Sequence, residues 1–171
     1  NNFVLLTNDV ETTSIWHNSL RDETGFKVYK EGMPILLDLY AKYNIKSTFF
    51  FTGYIAKLIP DIVKMVQPYG HEIASHGLTH EPKYSFDNLS LDEQIRHLTE
   101  SKKILEDISG NEIITFRAPA ARVQKNTALA LAETGFKIDS SISSQRFDFF
   151  LSFGNLQKLK WITTPRNSYF T

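Results

Sequence analysis

The chain has 171 residues, 42% apolar and 13% aromatic, which supplies one sizeable core and predicts a single domain over residues 1–171. Nineteen basic residues balance nineteen acidic ones, so no global field selects nucleic acid, an anionic membrane or an acidic partner. With no cysteine, disulfide scaffolding, thiolate zinc sites and cysteine nucleophiles are excluded together, and a metal would need histidine and carboxylate ligands.

Short apolar, β-favouring runs alternate with helical patterns along the chain, which predicts an α/β fold with a mostly parallel sheet, open or closed into a barrel. The first strand is predicted at Phe3–Leu6 and runs into Thr7-Asn8-Asp9-Val10-Glu11. A helix over Glu31–Tyr43 carries Met33, Leu36, Leu37 and Tyr40 at helical spacing and feeds a strand at Ser47–Phe51, ended by Thr52-Gly53. Lys57–Val66 reads as a helix stopped by Pro68 and Gly70, and His71–Ala74 as a strand leading into Ser75-His76.

The clearest helix spans Leu91–Ile108, with Ser90 and Glu93 in a capping box and Gly110 as the stop. Ile113–Phe116 is a strand ending at Arg117-Ala118-Pro119; a helix over Thr127–Glu133 and a strand over Phe136–Ile138, ending at Asp139, follow, and Leu159–Thr163 reads as one more strand. Asp9, Glu11, His76, His80, Arg117 and Asp139 all fall just past predicted strand ends, the face where parallel α/β folds bind ligands.

His76 and His80 stand four residues apart, so a helical turn would bring both imidazoles to one cation, zinc being well suited; the alternative is two unrelated loop residues. Asp9 and Glu11, two apart at a strand end, share a side if extension persists, one to bind metal and the other to take a proton; otherwise they are a helix cap and an exposed acid. Arg117 would orient a catalytic carboxylate or form an ordinary surface ion pair. Asp139 would accept from Arg117 or cap the turn at Ser140-Ser141. His71 and His97 are assigned to structure, and Trp16 and His17 to a packed aromatic loop.

The ordered strings Leu6-Thr7-Asn8-Asp9-Val10-Glu11, Ser47-Thr48-Phe49-Phe50-Phe51-Thr52-Gly53, Gly70-His71-Glu72-Ile73-Ala74-Ser75-His76-Gly77-Leu78-Thr79-His80, Phe116-Arg117-Ala118-Pro119 and Ile138-Asp139-Ser140-Ser141 resemble the polysaccharide deacetylase family (NodB homology domain, carbohydrate esterase family 4). The resemblance spans about residues 3–143. It implies a distorted (β/α) barrel of mostly parallel strands and a divalent metal, most often Zn2+. The implied reaction is hydrolysis of an N-acetyl or N-formyl group on a sugar or polysaccharide. On that pattern Asp9 is the general base, Glu11, His76 and His80 are the metal ligands, and Arg117 orients the base. Asp139 corresponds to the acid that braces this arrangement and helps position a closing catalytic histidine.

Two departures stand out. Asn8 replaces an aromatic and Val10 the second aspartate of the usual pattern, so the next carboxylate is Glu11. This Asp-Val-Glu variant is found in a branch with some peptidoglycan deacetylases, aminoarabinose-lipid deformylases and relatives of allantoinase. The family's last motif, a Leu-X-Leu-His strand end carrying the general acid, has no counterpart after Ser143, and no histidine follows His97. The barrel is therefore expected to be incomplete at its C-terminus. Two other readings stay open: an allantoinase-like amide hydrolase working without metal, and a non-catalytic carbohydrate-binding barrel.

No stretch approaches the roughly 18 apolar residues of a membrane span. Asn1 opens the chain with neither an initiator methionine nor a signal pattern, so the start reads as a trimmed boundary. A cytoplasmic location is favoured on these grounds, although a lack of cysteine is equally compatible with export. The oligomeric state and the particular sugar are open.

Overall fold

The computed structural model describes residues 4–14 and 19–142. Residues up to Ser141 gather into one compact unit. The expectations for Trp16 and His17, for a strand at Leu159–Thr163 and for a single domain reaching Thr171 lie outside the described residues.

In chain order, β1 (Thr7–Val10) is followed by a short antiparallel pair, β2 (Thr13–Ser14) and β3 (Ser19–Leu20). Next come α1 (Asp22–Lys27), a π-helical turn (Val28–Gly32), α2 (Met33–Lys42), β4 (Thr48–Phe51), α3 (Gly53–Leu58), α4 (Pro60–Lys64) and β5 (Glu72–Ser75). Then α5 (Leu91–Ser109), β6 (Thr115–Phe116), α6 (Thr127–Glu133) and β7 (Ile138–Asp139) complete the described fold. Five strands form one parallel sheet in the order β1-β4-β5-β6-β7, as the alternation of strand and helix patterns predicts. Among the described residues β1 and β7 do not pair, so the sheet is open there and not the closed barrel that the resemblance implies.

The interior position of β4 follows from composition. Phe49, Phe50 and Phe51 leave β4 no polar face, and all three are fully buried. Burial of such a side chain contributes roughly 1.5–3 kcal/mol, so the strand is most stable inside the sheet, paired on both edges by β1 and β5. On one side α5 packs against α3, α4 and α6, with Leu98 and Leu105 in the core. Its start has both halves of the capping box: Glu93 N–H donates to Ser90 Oγ at 3.4 Å and Ser90 N–H to Glu93 Oε2 at 2.9 Å. Gly110 ends it in the left-handed region, φ 70°.

Several boundaries differ from the sequence expectation. The first strand is Thr7–Val10 rather than Phe3–Leu6; Val4 and Leu5 are 81% and 90% exposed. The polar residues of β1 are accommodated because they are paired: Asn8 Nδ2 donates to Ser47 Oγ at 2.8 Å, and Tyr40 OH donates to Asn8 Oδ1 at 3.2 Å. Asp9 therefore lies within a strand, with Glu11 just past its end. The helix expected from Glu31 begins at Asp22 and passes Gly32 and Pro34 by widening to a π turn, where Met33 N–H reaches Val28 O. The helix expected over Lys57–Val66 is two helices, because Pro60 disfavours a helical Ile59, which sits at φ −138°. The β2–β3 pair escapes the sequence reading, since two-residue strands leave no periodicity. No helix among the described residues is long and apolar enough to cross a membrane.

Candidate metal centre

The carboxyl ends of β1, β5, β6 and β7 bring the candidate residues to one edge of the sheet. Thr7, Asp9 and Glu11 alternate along extended chain and so point the same way. His76 follows β5, where its N–H donates to Phe51 O at 2.8 Å. The route from His76 to His80 is not the helical turn expected from their spacing. It is a loop bent at Gly77, φ 71°, and held by two hydrogen bonds, Gly53 N–H to Gly77 O at 2.9 Å and Tyr54 N–H to Leu78 O at 2.8 Å. A Cβ at Gly77 would meet Phe86 and Pro119 at 3.3 Å, so both the bend and the packing favour glycine. The two imidazole centroids are 5.7 Å apart.

Glu11, His76 and His80 each offer one donor atom to a group whose members lie within 4.8 Å of one another. His76 is 2% exposed, and burial, partly offset by the Asp9 charge, holds its imidazole down at about 4. It is thus neutral; Nδ1–H donates to Arg117 O at 2.8 Å, which leaves the Nε2 lone pair facing the group. Burial lowers His80 as well. Glu11 is pushed up to about 7, by burial first and then by Asp9, with the Thr13 hydroxyl countering. The hydroxyl does not reach hydrogen-bonding geometry, since Glu11 Oε2 and Thr13 Oγ1 are both buried without a hydrogen bond among the described residues. Glu11 Oε2 lies 3.5 Å from His80 Nε2. A buried carboxylate oxygen facing neutral imidazole nitrogens lacks a positive partner, and a divalent cation fits that donor set.

Beside this group, Arg117 Nη1–H donates to Asp9 Oδ1 at 2.8 Å, and Asp9 Oδ2 lies 3.9 Å from His76 Nε2. Arg117 also donates to Thr7 Oγ1 at 3.0 Å and Ser140 Oγ at 2.8 Å, and its guanidinium sits 4.1 Å from the centroid of the Phe50 ring. Of the two openings for Asp139, its hydrogen bonds are those of the turn cap: Oδ1 accepts from Ser141 N–H at 2.9 Å and from the Ser141 hydroxyl. Ser141 Oγ in turn accepts from Ala118 N–H at 2.8 Å. Ala120 and Ala121 hold left-handed φ values of 54° and 49°, a conformation that costs an alanine roughly 1–2 kcal/mol. That bend aims Ala120 N–H at His80 Nε2, 3.2 Å away.

The sequence reading did not single out Thr7, Phe50 or Ser140. The first two had a signal in the alternation of β1 and in its register, which sets Asp9 beside Phe50. Ser140 had none, because a serine after a strand is ordinary turn chemistry. His71 and His97 lie away from the group. His71 Nδ1 accepts from Ser47 N–H at 3.3 Å, and His97 packs its ring 5.1 Å from that of Tyr84.

Comparison with known proteins gives a consistent picture. The family model for polysaccharide deacetylase matches residues 12–138. A peptidoglycan deacetylase of Helicobacter pylori is 26% identical over 146 residues, 81% of this chain and 49% of that protein. A peptidoglycan deacetylase-like protein of Gibberella zeae is 30% identical over 152 residues, 82% of this chain and 44% of its own length. A crystal structure from Mycobacterium smegmatis, assigned to the polysaccharide deacetylases, superposes with a TM-score of 0.65 at 27% identity, covering 81% of this chain and 50% of that one. The chain spans about half the length of the relatives it matches.

Proposed function

Since the chain belongs to the polysaccharide deacetylase family, we propose that it hydrolyses the N-acetyl group of an amino-sugar polymer at the Glu11, His76 and His80 centre. The names of its relatives support an N-acetylated glycan of the peptidoglycan kind as the substrate class. The observation that carries this reading is Glu11 Oε2, buried without a hydrogen bond among the described residues, 3.5 Å from His80 Nε2 and within 4.8 Å of the His76 donor. Two imidazoles and one carboxylate, leaving a position open, are the ligand set of a catalytic zinc, and that is the ion we assign. When bound, it supplies Lewis-acid polarisation of the amide carbonyl and acidifies water.

The chain's own residues do the rest. The Arg117 carbonyl fixes the His76 tautomer by accepting from Nδ1–H. Asp9 takes the proton of the attacking water, with its carboxylate oriented by the Arg117 guanidinium. The left-handed bend holds the Ala120 N–H at the same mouth, where it donates to His80 Nε2 at 3.2 Å, and we assign the developing oxyanion as its partner in the transition state. The sugar nitrogen leaves with the proton that Asp9 took from water, so hydrolysis releases acetate and leaves a free amine on the sugar.

Metal analysis together with acetate release tests this. Asp9→Asn should retain zinc and lose turnover by about 10²–10⁴, whereas His76→Ala and His80→Ala should lose both. An active His80→Ala protein, or a wild type that holds no divalent metal after loading, overturns the scheme. A wild type active after complete chelation would favour the metal-independent reading instead.

A further inference from the structure

Arg117 is held by more than the residue it orients. Phe50 supports the guanidinium from one face, and Asp9 is the group being positioned. Thr7 accepts from Nη2 at 3.0 Å, but it belongs to β1, two residues before Asp9, and moves with it. Ser140 is different. Among the described residues it is the one hydrogen-bond partner of the guanidinium that lies outside β1, at 2.8 Å from Nη2.

The turn carrying Ser140 grips the Arg117 segment at three points. Ser140 N–H donates to Phe116 O at 2.8 Å, Arg117 Nη2 donates to Ser140 Oγ, and Ala118 N–H donates to Ser141 Oγ at 2.8 Å. Asp139 closes the turn through Ser141. Backbone on both sides of Arg117 and the tip of its long side chain are therefore fixed to the end of β7. An arginine side chain is flexible in its stem and planar only at its end, so its direction is set by what its outer nitrogens meet.

We propose that Ser140 is a positioning residue for the deacylation: it ties Arg117 to the β7 turn, so that the guanidinium clamps the Asp9 carboxylate beside the metal centre from a frame independent of β1. This rests on the reading of Asp9 as the base. Without the Ser140 hydroxyl, the Arg117 backbone stays tied to the β7 turn and Phe50 still lies against the guanidinium, but the hydrogen bonds left to its outer nitrogens all go to β1, and the carboxylate loses its fixed direction relative to His76 and His80.

The test compares wild type with Ser140→Ala, Ser140→Thr and Ser140→Val, alone and in an Arg117→Ala background. Ser140→Ala should lower kcat about tenfold, the scale of a lost hydrogen bond to a charged group, with KM and zinc content unchanged. Ser140→Thr should recover to within about twofold of wild type while its isostere Ser140→Val should not, which isolates the hydroxyl from packing. In the Arg117→Ala background Ser140→Ala should add no further loss. Wild-type kcat in Ser140→Ala, a loss of zinc with it, or an undiminished extra loss in the Arg117→Ala background would each overturn the proposal. The Arg117 side-chain 1H–15N resonance gives a second readout that needs no turnover. It should be sharp in wild type and Ser140→Thr and broadened in Ser140→Ala and Ser140→Val, and an unchanged resonance overturns the proposal. If the wild type releases no acetate, the deacylase reading fails, and the resonance still decides the role of Ser140.

Discussion

Glu11 Oε2 and His80 Nε2 face one another at 3.5 Å, and among the described residues no hydrogen bond reaches Glu11 Oε2. Burial lowers the imidazole and raises the carboxyl, so both atoms act as electron donors toward the space between them, and a proton or a cation there relieves the cost of burying the pair.

The native state should therefore gain stability from zinc that the unfolded chain does not. At a hundredfold excess over Kd the gain is about 2.7 kcal/mol, or roughly 5–10 °C in Tm for a chain of this size. Thermal unfolding with chelator and with zinc measures it directly. His80→Ala should erase the zinc-dependent part, and a Tm indifferent to zinc in wild type would count against the centre.

Gly77→Ala should act on stability and metal affinity together. The substitution forces an alanine to φ 71°, which costs about 1–2 kcal/mol, and sets a methyl against Phe86 and Pro119 at 3.3 Å. Because the same bend carries His76 to His80, the urea midpoint and the zinc Kd should both worsen. A lower midpoint with an unchanged Kd would mean that the loop holds its ligands without the bend.

His71 should make the fold acid-sensitive independently of the metal. Burial, and then the Lys46 charge, hold its imidazole below the usual range. In the unfolded chain it takes up a proton near pH ~6.5; in the folded chain it does so only at lower pH. Between those points the unfolded state binds more protons, so stability falls as pH drops below about 6.5. His71→Asn, which keeps an acceptor for Ser47 N–H, should be less stable at pH 8 through lost packing on Tyr69 and Phe49 but should show a shallower decline toward pH 5. Parallel curves for the two proteins would refute the assignment.

Much of this architecture could be read from sequence because it rests on local rules. The Ser90, Glu93 and Gly110 punctuation sets the bounds of α5 within one residue, and the triple phenylalanine announces a strand buried on both faces. The first strand lies four residues past the apolar run that predicts it, because the polar Asn8 and Asp9 find partners on Ser47, Tyr40 and Arg117, all distant in sequence. The spacing of His76 and His80 identified the pair, but its geometry comes from a glycine bend and not a helix. Ser140 lay beyond reach, since its significance is a contact with a side chain 23 residues earlier.

Glu11 leaves the sheet at β1 and the histidines leave it at β5, with the whole of β4 lying between them. An ion gripped by both would act as a removable cross-link over β4, closing a long loop of chain whose entropy only the demetallated protein recovers. Loading should then slow the parting of β1 from β4 more than any motion of α5 or α6, so amide exchange in β1 becomes the gauge of occupancy.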